Sequence, residues 1–108
     1  MIELEGKKSD DGKLPIATMM LEQFPLAIQA VAGRSLFGHI KYAHNDQDWT
    51  NWKNVPDATR RYKDAILRHM MELGEEGETS SEHAAAVAWN ALAVLQMKLE
   101  NENEESKS

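Results

Sequence analysis

The most regular stretch of the chain is "EHAAAVAWNALAVLQ", residues 82–96, where Ala, Val and Leu fill most positions and His83, Asn90 and Gln96 interrupt them. Positions three, four and seven apart share one face of a helix, so His83, Val87, Asn90, Val94 and Met97 look the same way. Thr79-x-x-Glu82, or a neighbouring frame, can form a capping box at its start. Two further helices are predicted upstream. "PLAIQAVAGRSLFGHIKYA", residues 25–43, opens on a proline suited to a first turn. It carries Ile28, Val31, Ala32, Leu36 and Ile40 at helical spacing, interrupted but not ended by Gly33. "DATRRYKDAILRHMMEL", residues 57–73, has Asp57 placed to cap it and Gly74 and Gly77 placed to end it. The intervening "HNDQDWTNWKNVP" has no period and reads as a loop, and a short turn is expected around residues 18–24. No stretch alternates with period two, so the class is all-α, three main helices plus short turns.

This pattern leaves apolar surface to spare. The third helix is apolar almost all the way round, and three helices make a thin core. The economical solution is a homo-oligomer, dimer or tetramer, in which two chains complete a four-helix bundle. Ala84, Ala85, Ala88 and Ala91 would let helices approach closely within the chain or across that interface. Composition adds boundaries. Residues 1–12 are polar and rich in Asp, Gly and Lys, and residues 101–108 are acidic without an apolar side chain. A flexible N-terminus, a single α-helical domain over residues 13–100 and a disordered acidic tail are therefore expected. The 108 residues, 42% of them hydrophobic, suffice for one modest core.

The formal net charge of -6 argues against non-specific nucleic-acid binding. The absence of cysteine excludes disulfides and thiolate metal sites. No apolar run approaches the roughly 18 residues of a membrane span, and "MIELEGKKSDDGK" has no signal-peptide core. These features predict a soluble cytoplasmic protein that contacts no membrane.

Candidate chemistry concentrates on the second and third helices. Ala58, Tyr62, Ala65, His69 and Leu73 form one stripe, beside an alternating charge stripe of Asp57, Arg61, Asp64 and Arg68. If the two helices pack antiparallel, His69 near the end of one lies close to His83 near the start of the next. Both histidines can equally be satisfied interior groups, and the charge stripe a solvated face. Glu72, Glu75, Glu76, Glu78 and Glu82 surround the turn between these helices. Clustered carboxylates suit hard cations such as Mg²⁺, although the glycines there break any fixed spacing and a solvated acidic loop is the competing reading. The four histidines offer no zinc-binding pair on one helix, since His39 and His44 straddle a helix end. Trp49 and Trp52 are costly to leave exposed, so they either cap the core or stack on a base, with Lys41, Arg61 and Arg68 available for phosphate.

Taken in order, "DDGKLP", "FGHIKYAHN", "NWKN", "RRYKDAILRH" and "EHAAAVAWNALAVLQ" resemble the phage-borne family of dATP/dGTP diphosphohydrolase N-terminal domains. That family is related to the all-α MazG-like nucleoside triphosphate pyrophosphohydrolases. The resemblance covers about residues 10–97, and Lys13, Gly38, Lys41, Tyr42, Asn51, Trp52, Tyr62, Arg68, His69, His83 and Asn90 match its pattern. The chain departs from it at Ala86, where many relatives have a second histidine, and at Gln29, where many have glutamate. The resemblance implies a MazG-like, oligomeric fold that binds a purine nucleotide, with Mg²⁺ or Mn²⁺ held by carboxylates. It implies a phage or prophage protein acting in the host cytoplasm that splits a (d)NTP into monophosphate and pyrophosphate. Lys41 and Arg68 would neutralise phosphate charge, Trp52 or Tyr62 would pack the base, and Glu72, Glu75 and Glu78 would serve the metal. Two alternatives stay open. One is a catalytically silent module that sequesters a nucleotide, for example an immune second messenger. The other is a helical protein-interaction module.

Overall fold

A computed structural model describes residues 12–43, 45, 47–73 and 77–107. Among them the chain is all-helical, as its periodicity predicts. Three main helices follow one another: α1 (Pro25–Tyr42), α2 (Ala58–Met70) and α3 (Ser80–Lys107). A π-helical turn, Ala17–Leu21, occupies the expected turn before α1, and a 3₁₀ turn, Asn51–Asn54, lies in the Trp loop. The flexible segment assigned to residues 1–12 falls almost wholly outside the described residues.

The three starts differ in their chemistry. Pro25 sits in the first turn of α1, where its missing N–H costs nothing. Asp57 occupies the N-cap of α2, but its side chain makes no capping bond. Its backbone is left-handed, φ 55°, and its carboxylate instead takes the Arg60 guanidinium at 2.5 Å. Arg60 also reaches Asp64 at 3.1 Å, so the charged ladder of α2 runs through Arg60 and leaves Arg61 and Arg68 exposed. At α3 the capping box forms as read. The Glu82 N–H donates to Thr79 Oγ1 at 3.1 Å, and the Thr79 N–H reaches back to Glu82 Oε1 at 3.3 Å.

Two ends fall elsewhere than the pattern suggests. Helix α2 stops at Met70, short of Gly74, because Glu72 turns left-handed at φ 55°. The Leu73 N–H then closes on the Arg68 carbonyl at 2.8 Å, and the Glu72 N–H on the His69 carbonyl at 3.0 Å. That is the Schellman pattern made without glycine, and it throws Leu73 off the buried stripe into solvent. Helix α3 runs on to Lys107, through residues read as a disordered tail. Side-chain bonds one turn apart, Gln96 to Glu100 at 2.7 Å and Asn101 to Glu105 at 3.4 Å, run along this segment, and Lys107 lies in the last turn where a cation favours the helix dipole.

Helix α3 is the shared support, packing against both α1 and α2. Its buried stripe, His83, Ala86, Asn90, Ala93 and Val94, meets Ala58, Ala65 and His69 of α2. The interior is thus alanine, one valine and three polar side chains, with no large side chain fully buried among the described residues. Small residues let helices approach closely but remove little apolar area from water. Helix α1 buries no residue at all, and Leu26 and Ile40 on it are 79% and 74% exposed.

Candidate functional site

The antiparallel α2–α3 pair brings its two histidines together. His69 lies one residue before the end of α2 and His83 in the first turns of α3, both buried, with their Nδ1 atoms 2.9 Å apart. Two neutral imidazoles in this arrangement share one proton, one Nδ1 donating and the other accepting. Glu78, just before α3, completes the group. One ligating atom from each of His69, Glu78 and His83 lies within 4.8 Å of the others. The Arg34 guanidinium of α1 donates to Glu78 Oε2 at 2.7 Å, and both side chains are largely buried. Burial first, and then the Arg34 charge, push His69 below its ordinary pKa of 6.5, with Glu78 opposing them. His69 is therefore held neutral at physiological pH.

Beside this group runs an open groove of about 460 Å³ between α1 and the start of α3. Arg34, Phe37 and Gly33 line one wall, and Glu78, Ser81 and Ala85 the other. The Arg34 guanidinium lies 4.8 Å above the Phe37 ring and the Lys41 ammonium 5.6 Å from it. Gly33 lines the groove, and a Cβ added there would meet no atom within 4 Å.

The remaining sequence candidates are distributed along the fold. Trp52, Tyr62 and Trp89 pack edge to face, with ring centroids 5.6–6.2 Å apart. The Tyr62 hydroxyl donates to the Trp52 carbonyl, and burial raises its pKa. This cluster caps the junction of α2, α3 and the 3₁₀ turn. Tyr62 lies seven residues before His69, about 10 Å along α2. Trp49 stacks on His39 at 4.0 Å. Tyr42 is exposed beside Lys41, and Lys13 is exposed ahead of the π turn. Asn90 is buried and donates to the Ala86 carbonyl one turn back at 2.7 Å, so its amide is engaged by its own helix. Glu72 accepts from Ser80 Oγ at 3.1 Å and is not part of the His69–Glu78–His83 group. Glu75 lies outside the described residues.

Two features escape a reading helix by helix. The histidine pair is ligand-like only across two helices, so a search for metal spacing within one helix passes over it. Gly33, Arg34 and Phe37 line the groove from α1, and the three- and four-residue spacing that sets Phe37 beside Arg34 and Gly33 was the signal available.

The fold and the site together define a small all-α domain with a buried histidine–carboxylate group beside an open, arginine-lined groove. The chain belongs to the family described as dATP/dGTP diphosphohydrolase, N-terminal, whose sequence profile matches residues 3–107. No curated protein and no solved structure matches the chain.

Proposed function

We propose that this domain binds a purine nucleotide in the groove between α1 and α3 and splits a (d)NTP into monophosphate and pyrophosphate. The observation that carries the reading is the wall formed by Arg34 and Phe37 in a groove of about 460 Å³, within the size range of small-ligand sites, in a chain of this family. Phe37 offers a face to the base, and Arg34 a planar fork to phosphate, with Lys41 adding charge at the groove's end. The surplus apolar surface of α1 and α3 further supports a homo-oligomer as the working form.

Of the carboxylates read from sequence, Glu72 accepts from Ser80 and Glu78 from Arg34. Among the described residues no three carboxylates converge, and Mg²⁺ asks for oxygen ligands in near-ideal octahedral geometry. The same observation favours a second reading, a module that holds the nucleotide without turnover.

A panel of purine (d)NTPs, incubated with the chain with and without added Mn²⁺, separates the two by pyrophosphate release. Turnover of dATP or dGTP is expected, and Phe37→Ala and Arg34→Ala should each weaken nucleotide binding by roughly tenfold or more, the first through a lost base stack of about 1–3 kcal/mol and the second through lost charged hydrogen bonds of about 1.5–3 kcal/mol. A nucleotide-dependent thermal shift without pyrophosphate establishes the silent module. If neither response is seen, both readings fail and the helical interaction module remains.

A further inference from the structure

We infer that His69, Glu78 and His83 form a binding site for a borderline divalent transition cation, of the Zn²⁺ or Co²⁺ type, entered from the groove. The inference stands on the geometry of the three side chains and does not rest on the nucleotide reading.

Two neutral imidazoles and one carboxylate are a donor set that such cations accept, and three protein ligands leave a coordination position for water or substrate. The two imidazoles stand close to the spacing a cation requires, and the Glu78 carboxylate, within 4.8 Å of them, has to swing inward to join them. Two nitrogens bound to one tetrahedral Zn²⁺ at about 2.0–2.1 Å lie roughly 3.3 Å apart. The Nδ1 atoms stand at 2.9 Å, so the rings need to part by about 0.4 Å, less than the slack of a side-chain rotamer. The proton on the donating Nδ1 would move to Nε2 of the same ring, a change of tautomer, so that both Nδ1 lone pairs face the metal. The carboxylate is the third ligand and also the doorway, because Glu78 lines the groove while the histidines lie behind it. Imidazole nitrogen discriminates against Mg²⁺, which prefers oxygen and keeps its waters.

Arg34 holds the same carboxylate at 2.7 Å and places a positive charge beside the incoming cation. It therefore opposes metal binding in the empty site. Once a cation takes Glu78, the guanidinium is released toward the groove, where it faces whatever anion the groove holds.

The test uses the full chain, stripped with chelator and titrated with Co²⁺ in the absence of nucleotide. One equivalent per chain should give the visible absorption bands of a four- or five-coordinate site, and Zn²⁺ should abolish them by displacement. Mg²⁺ in roughly hundredfold excess should leave them unchanged. In the wild-type chain, Zn²⁺ should shift the ring nitrogen NMR signals of His69 and His83 and leave that of His39, stacked on Trp49, in place. His69→Gln and His83→Gln should each weaken Co²⁺ binding by more than about tenfold, whereas Arg34→Gln should tighten it severalfold. A wild-type chain without saturable bands, Mg²⁺ competing as an equal, or folded histidine variants that bind Co²⁺ unchanged would each overturn the site. If the histidine variants fail to fold, the wild-type ring-nitrogen shifts and the Arg34→Gln arm still decide. Loss of nucleotide binding in Phe37→Ala with Co²⁺ binding intact keeps this result separate from the fate of the nucleotide reading.

Discussion

His69 is the residue whose environment has the most direct solution consequence. Its folded pKa lies below the ordinary 6.5, so as pH falls the unfolded chain takes up this proton before the folded one does. The stability it contributes is present above about 6.5 and is lost as pH drops from there toward the depressed folded value. The chelator-treated chain should therefore show a melting temperature that falls between about pH 7.5 and 5.5, and His69→Gln should flatten that slope. An equal slope in the variant would remove His69 as its source. At this scale the sequence was informative about partners and silent about geometry. The phase of α3 and the shortness of the 71–79 connection put His69 near His83, but the third ligand came from Glu78, whose neighbour Gly77 at φ 90° sets a turn that no helical period describes. Asp57 and Glu72, both at φ 55°, were unreadable for a related reason: left-handed non-glycine residues are uncommon, glutamate gives no sign of one, and the enrichment of aspartate there is too weak to place it.

Among the elements, α1 carries a conflict between propensity and shape. Gly33 sits in the middle of an 18-residue helix, where glycine costs about 0.5–1 kcal/mol relative to alanine, yet a Cβ there would meet open space. If packing alone governed the position, alanine would serve better. Gly33→Ala should raise the melting temperature, in line with that propensity gain, while narrowing the groove and weakening nucleotide binding. Thermal melts and a nucleotide titration on one preparation read both, and a variant that binds as tightly as wild type would separate Gly33 from the groove. The helix itself was legible from Pro25 and the spacing of its apolar residues. Its inner and outer faces were less so, because apolar side chains lie on both: Ile28 and Val31 are partly covered, while Leu26, Leu36 and Ile40 are exposed. A period reports which residues share a face and says little about which face finds a partner.

For the molecule as a whole, the balance between covered and uncovered apolar surface points outward. Leu92, Leu95 and Leu99 are each about half exposed on α3, at the three-then-four spacing of a coiled-coil seam. The proposed homo-oligomer uses this seam. Light scattering behind size exclusion should give a dimer or tetramer, and Leu95→Glu should shift it toward monomer with loss of helix signal. A wild-type chain that stays monomeric across concentration would remove the oligomer. No helix among the described residues is long and apolar enough to cross a membrane, so that surface is not accounted for by a transmembrane helix.

One feature joins the three scales. Helix α3 is a single unbroken rod of 28 residues, about 42 Å from end to end. His83 stands in its first turns and Leu99 sixteen positions on, roughly 24 Å away along the axis. A rod of this kind works as a lever. Tilting it by about 2° around its first turns displaces Leu99 by close to 0.8 Å, a distance that matters in close-packed surroundings. Any rearrangement that pivots α3 at His83 is therefore felt at the leucine seam, with no relay of side chains in between.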